Sequence, residues 1–340
     1  MSFPLAEWID VHAACRYNLG ISGMIGAVPV FAQRFARNDN ADPEELRRRL
    51  ARVCGVATDR LFLTHGASEA NSLALIYLAR KLTRRFGRAP RCQVSIPEYP
   101  PLRDTPGLVG FQLNLRRSES DVTVFSNPHN PTGRRPSNDE IWERAQNGGS
   151  MLVDETFREF TGQPSTQQLG MTRLWTSGTF TKFYGADAIR VGFVVCPEDD
   201  VPLFGRFHGL LLDELPPASV AAALGILDHR TAIQKIIRTR FQRNLRCLRK
   251  NIAALPKLDA PLWFDRGEGE LDGNDFARAA LSSSVLVCPG SYFGDPTGVR
   301  VTLTRRSFPR DLDAYLGFRS AWLNQTQARG GRTTRGVTKR

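Results

Sequence analysis

The strongest constraint on this chain is a rhythm: short apolar runs of strand length alternate with segments whose apolar residues recur at helical spacing. That alternation is the pattern of an α/β domain built on a mainly parallel sheet. Asp42-Pro43-Glu44-Glu45 supplies a helix start, with an acceptor at the N-cap, proline at N1 and a carboxylate at N3, and Gly55 supplies the stop. Leu61 to Thr64 reads as a strand, and Gly66-Ala67-Ser68 leads from it into a helix with apolar Ala70, Leu73, Ala74, Tyr77 and Leu78. Further strands are predicted at Cys92 to Ile96, Val109 to Leu115, Val122 to Ser126, Met151 to Asp154, Leu174 to Ser177 and Val191 to Cys196. Ser137 with Glu140 forms a second capping box among them. A helix from Thr231 to about Leu255 is too long for a crossover alone and is expected to link two domains. Beyond it a smaller αβ assembly is predicted: Leu262 to Asp265, a helix near Asp275 to Leu281, Val285 to Cys288, Val299 to Leu303, and a last helix near Pro309 to Phe318. From Gln325 apolar residues nearly vanish, which predicts a disordered basic tail.

Composition narrows the functional classes. The 340 residues are 41% hydrophobic and 24% charged, which suits one large or two medium domains. Apolar runs such as Leu73 to Ala79 and Val220 to Leu227 stop well short of the roughly 18 residues of a membrane span. Glu7 and Asp10 follow the first methionine too closely for a secretory signal, so a cytoplasmic protein is expected. The six cysteines contain no CxxC pair and read as reduced core thiols, so no metal site is expected. The net charge of +12 raises the question of nucleic acid. Much of it lies in two clusters, Arg80 to Arg91 and Arg329 to Arg340, that read as a solvated helix end and a loose tail.

Four segments carry potential chemistry, and each has a plain alternative. Ser126-Asn127-Pro128-His129-Asn130-Pro131-Thr132-Gly133 follows a strand, where open α/β sheets bind ligands, although turns of this composition are common. Asp154 ends the apolar run Met151-Leu152-Val153, and a carboxylate there needs a cationic partner or solvent. Lys182 lies among Phe180, Phe183 and Tyr184, surroundings that lower an ammonium pKa and favour a nucleophile, although a single lysine is more often a surface residue. Pro289-Gly290-Ser291 leads through Phe293-Gly294 to Val299-Arg300-Val301.

Taken in order, the Asn-Pro-x-Asn-Pro-Thr-Gly run, the Asp-x-x-aromatic step, the Thr-x-x-Lys with Arg190 eight residues later, and the Pro-Gly-Ser segment before Arg300 resemble the class I/II aminotransferases of fold type I. These enzymes use pyridoxal 5′-phosphate (PLP). The resemblance spans roughly residues 18 to 318. It implies a large domain with a mainly parallel seven-stranded sheet, a small α/β domain and a homodimer. The implied divisions are an N-terminal segment 1–35 joining the small domain, a cofactor domain 36–230, an interdomain helix with the small domain 231–324, and the tail 325–340. It further implies that Lys182 binds the cofactor as a Schiff base and moves the α-proton, that Asp154 pairs with the ring nitrogen, and that Asn130 bonds the ring oxygen. Tyr99 would stack on the ring, although a packed core tyrosine is a serious rival. Gly66, Ala67, Ser68, Thr179 and Arg190 would cradle the phosphate. Arg300, with Gly20, would take the substrate α-carboxylate.

The chain departs from the family in places. Phe157 stands where many members have a tyrosine, no tyrosine occurs near Arg37 to Asn40 where a partner's would be expected, and the chain is short. Phe157 and Lys182-Phe183-Tyr184 resemble the branch with histidinol-phosphate aminotransferases and threonine-phosphate decarboxylases. Transamination between an L-amino acid and a 2-oxo acid is the leading expectation, and decarboxylation or oxidation on the same cofactor is the alternative. A DNA-binding regulator is not expected, because no room is left for a helix-turn-helix.

Overall fold

A computed structural model of the chain describes residues 3–24, 41–114, 119–146, 149–267 and 271–333. Its strands are β1 (Tyr17–Asn18), β2 (Leu61–Thr64), β3 (Arg91–Val94), β4 (Gln112–Asn114), β5 (Val122–Ser126), β6 (Ser150–Asp154), β7 (Leu174–Thr179), β8 (Gly192–Val195), β9 (Leu262–Asp265), β10 (Val285–Leu286), β11 (Cys288–Pro289) and β12 (Val299–Thr302). Seven of them form one sheet in the order β2-β8-β7-β6-β5-β3-β4. All neighbours are parallel except at β8, which runs against both β2 and β7. The central strands are buried almost throughout because helices cover both faces. Val124, Leu152 and Trp175 pack against helix Ala67–Phe86, and Phe125, Val153 and Ile141 pack on the opposite side.

Local rules account for much of this. Asp42 accepts a hydrogen bond from the Glu44 amide to cap helix Pro43–Cys54, and Gly55 ends that helix at φ +72°, in the left-handed region that favours glycine. Ser137 and Glu140 form the expected capping box of helix Asn138–Ala145. The smaller assembly has an antiparallel sheet β11-β12-β9, and β1 pairs in parallel with β10. Asp265 at the end of β9 accepts from Tyr315 Oη at 2.6 Å and Arg319 Nε at 2.7 Å, fixing the last helix to this sheet.

Three expectations are corrected. The chain forms helix Pro100–Leu108 before β4, so the strand starts at Gln112 rather than Val109. Prolines at the first helical positions sacrifice no backbone hydrogen bond, which hid this helix behind a proline-rich sequence. The linking helix spans Arg230–Asn251, slightly shorter than expected. The last helix spans Phe308–Thr333 instead of stopping near Phe318, so the expected disorder from 325 does not hold to Thr333. Trp322 packs against Phe276 and Phe318 beyond the predicted end, and the following Gln, Ala and Arg are good helix formers. Residues 334–340, and Arg37 to Asn40, lie outside the described residues.

Candidate active site

Strand register brings one row of residues to one edge of the large sheet. Ser126 lies opposite Asp154, Asp154 opposite Ser177, and Gly192 lies between Thr179 and Thr64. Carboxyl ends of neighbouring parallel strands therefore converge where open α/β sheets place their ligands. Above this edge is a cavity of about 390 Å³ lined by Ala67, Ser68, Tyr99, Asn130, Asp154, Thr179, Lys182, Arg190 and Arg300. Gly66 and Gly20 do not line it: Gly66 precedes Ala67 in the chain, and Gly20 O accepts from Arg300.

One end is shaped for an anion. Gly66, at φ +105°, turns β2 into helix Ala67–Phe86, whose first free amides and dipole face this end. A Cβ on Gly66 would lie 3.1 Å from Arg190 Nη2, and one on Gly192 would lie 2.5 Å from the Gly66 carbonyl carbon. Only glycine lets the turn and the sheet edge approach so closely. Arg190 itself holds φ +49°, a left-handed conformation uncommon for arginine, and its Nη2 donates to His65 O at 3.2 Å. Among the described residues it has no carboxylate partner. Thr179 Oγ1 donates to Val191 O at 3.0 Å and lies 2.8 Å from Thr181 Oγ1.

The middle of the cavity holds the lysine and the acid. Lys182 is packed among buried Phe180, Phe183 and Tyr184, and its carbonyl accepts from Met24 N at 2.9 Å. Burial pushes its ammonium pKa down, opposed by Asp187 and Asp154 and assisted by Arg300 and Arg190. Among the described residues nothing bonds or pairs with its Nζ. Asp154 accepts from Asn71 Nδ2 and from Thr156 N, each at 2.8 Å. Burial raises its pKa above the ordinary value, while those donors and Lys182 pull it down. Phe157 also lines the cavity, with its ring stacked toward Phe160.

The other end is built on Arg300, only 2% exposed. Nη1 donates to Asn130 Oδ1 at 3.2 Å, and Nη2 donates to Gly20 O at 2.9 Å with Cys288 Sγ at 3.3 Å. The guanidinium lies over the Phe293 ring at 5.0 Å. Its Nε is buried with no acceptor, and among the described residues no carboxylate balances the charge. Tyr99 shares the cavity wall with Ser68 and meets Phe3 edge-on at 6.0 Å. The predicted site residues thus come together, with Gly20 acting through its carbonyl.

Sequence reasoning missed Asn71 and Glu98, which support them, while His129 was weighed as a supporting group against a merely structural histidine. Asn71 is a polar position on an otherwise apolar helix face, a signal that was readable. Glu98 is fully buried and accepts from Ser126 Oγ at 2.6 Å, Ser126 N at 2.9 Å and Tyr99 N at 2.7 Å. Ser126 Oγ in turn accepts from Asn130 N at 2.8 Å, so Glu98 links the tyrosine to the asparagine. Burial pushes the Glu98 carboxyl up to about 8. His129 Nε2 donates to Pro97 O at 2.8 Å, leaving Nδ1 to accept from Thr132 Oγ1, and burial pushes its pKa down to about 4. Nothing in the sequence pattern places Phe3, Leu5, Ala6 and Ile9 on the cavity wall, yet helix Pro4–Val11 puts them there.

A half-buried lysine and a strand-end acid thus lie between a helix N-terminus flanked by Arg190 and an arginine with no carboxylate partner among the described residues, an arrangement able to receive an anionic group at each end. The sequence model of the family "aminotransferase class I and II" matches residues 111–307, more than half of the chain, and the chain belongs to that family. A histidinol-phosphate aminotransferase of Haloarcula marismortui is 31% identical over 195 residues, 54% of this chain. That alignment spans 51% of the relative, so the chain matches about half of its length. An aspartate aminotransferase of Thermococcus kodakarensis is 26% identical over 79% of this chain and 76% of its own. The solved structure of a PLP-dependent aminotransferase from Streptococcus suis superposes with a TM-score of 0.79, covering 96% of this chain and 98% of that one at 19% identity. The last comparison shows a common fold, that of the fold-type I enzymes.

Proposed function

We propose that this protein is a PLP-dependent aminotransferase that moves an amino group between an L-amino acid and a 2-oxo acid, and that it works as a cytoplasmic homodimer. The observation that carries the reading is Lys182: half-buried, without a hydrogen-bond or ion-pair partner among the described residues, and in one cavity with Asp154, Arg190 and Arg300. The residues fit the cofactor. Lys182 would hold it covalently, Asp154 would face the ring nitrogen, and Tyr99 the ring. Asn130 gives its oxygen to Arg300, which leaves its amide nitrogen to donate to the ring oxygen. Ala67, Ser68, Thr179 and Arg190, with Gly66 keeping the approach open, would take the phosphate.

Bound PLP supplies an electron sink for charge developing at the substrate α-carbon. Asp154 would face the ring nitrogen, with the hydrogen bonds from Asn71 and Thr156 favouring its carboxylate form against the opposing effect of burial. Burial lowers the pKa of Lys182 Nζ, which favours the neutral amine that would take the proton from the α-carbon and return it. Arg300 grips the α-carboxylate and so fixes which α-carbon bond faces the lysine. The homodimer reading is supported by exposed Leu203, Leu210 and Leu211 on helix Val201–Leu211. Among the described residues no helix is long and apolar enough to cross a membrane.

Borohydride reduction of the PLP-loaded protein followed by peptide mapping should place the label on Lys182; label on another lysine would overturn the assignment. An amino donor should shift the bound cofactor to its amine form, and a 2-oxo acid should shift it back. Release of CO2 or consumption of O2 without that return would replace transamination by decarboxylation or oxidation.

A further inference from the structure

We infer that the preferred amino substrate carries an uncharged, apolar side chain held by the N-terminal helix, an inference that rests on the aminotransferase reading. It follows from a census of charge around the cavity. Among the described residues the cations on its wall are Lys182, Arg190 and Arg300, and the proposed function commits these to the cofactor, its phosphate and the α-carboxylate. No described cation is left for a second acidic group on the substrate. Among the described residues the one remaining charged side chain on the wall outside the proposed cofactor contacts is Asp187, which repels an anion.

The rest of the wall sets the hydroxyl residues Ser22, Ser126, Thr156 and Thr181, all uncharged, beside an apolar group formed by Phe157 and the N-terminal segment. Phe3, Ala6 and Ile9 follow one another at three-residue spacing, so the N-cap residue and one face of helix Pro4–Val11 turn toward the cavity, joined by Leu5. This wall is fixed in place: Leu5 packs with Cys288 and Phe293 beside Arg300, and Trp8 Nε1 donates to Val287 O at 2.9 Å. An α-carboxylate on Arg300 therefore has an apolar surface close by for the substituent on the same α-carbon. A carboxylate or phosphate there would be stripped of water with no described cation to receive it. An aliphatic side chain loses water favourably, and such pockets discriminate ~10- to 200-fold per methylene. Ala6 is the small residue of this face, so it sets the space available.

The test uses the PLP-loaded full chain. Half-reaction rates over concentration, read from the cofactor spectrum, should be ~100-fold higher for leucine or methionine than for aspartate or O-phosphoserine. A second readout needs no turnover: in calorimetry, 4-methylpentanoate should bind at least ~10-fold more tightly than succinate, because only succinate brings an unmatched charge. Ala6→Arg should reverse that order while leaving cofactor affinity unchanged. Ala6→Trp should depress leucine relative to alanine by occupying the space. Aspartate or O-phosphoserine performing as well as leucine, or succinate binding best to the wild type, would overturn this inference alone. Failure of every amino acid to alter the spectrum would overturn the aminotransferase reading and the inference with it.

Discussion

Arg158 and Arg300 are both buried, at 8% and 2% exposure, yet their surroundings are opposite. Arg158 lies 3.0 Å from Glu155 and 3.4 Å from Glu159. Burial works against its charge, but those two carboxylates outweigh the penalty and hold its pKa above the ordinary arginine value. Arg300 is surrounded by a side-chain amide oxygen, a backbone carbonyl, a thiol and a ring, none of them anionic. Arg158 is thus neutralised within the fold, whereas Arg300 has no anion among the described residues, an arrangement that the proposed α-carboxylate would complete.

This contrast can be tested at both ends. The largest effect should come from Arg158→Met, which leaves Glu155 without its cation and should cost about 3–5 kcal/mol in urea denaturation, with KM little changed. Arg300→Lys should behave in the opposite way: stability nearly intact, but KM for amino donor and oxo acceptor both raised ~10- to 100-fold, because lysine keeps the charge and loses the fork. Unaltered kinetics with a large loss of stability in that variant would make Arg300 a second Arg158 and erase the distinction. The smallest effect should come from Thr179→Ala, which removes one neutral hydroxyl from the proposed phosphate cradle. Its PLP affinity, measured by equilibrium titration, should fall only ~5-fold, the worth of about 1 kcal/mol.

The same pair shows what a sequence displays and what it conceals. Arg300 was visible through its place after a Pro-Gly-Ser segment and inside an apolar strand, as Asp154 was visible at the end of β6. These signals are local: a charge interrupting an apolar run has to be explained wherever the strand ends up. The alternation of elements and the capped helix starts at Asp42 and Ser137 were readable for the same reason. The neutrality of Arg300's surroundings was not readable, since it depends on Gly20 and Asn130 arriving from distant segments to join Cys288 on the paired strand. Glu98 was hidden likewise, because its three donors belong to a neighbouring strand and a turn. Helix Pro100–Leu108 and the extended last helix were missed where proline and scarce apolar residues mislead local rules and tertiary packing decides. The apolar wall of Phe3, Leu5, Ala6 and Ile9 is a product of docking alone.

The attachment of the first residues to the small sheet also sets an order of events. Trp8 bonds Val287 across 279 residues of sequence, and Gly20 bonds Arg300 across 280. At synthesis rates of ~5–20 residues per second, the N-terminal helix waits roughly 15 to 60 s for its partners to be made. Loop closure over that span adds little further cost with length, but it cannot begin before the second strand segment exists. The cavity wall is thus among the last parts of the molecule to assemble, after the large sheet, whose strands all lie within residues 61 to 195, has had its components available. During that interval the apolar face of helix Pro4–Val11 is exposed on the nascent chain, a ready contact for a chaperone or for another unfinished copy.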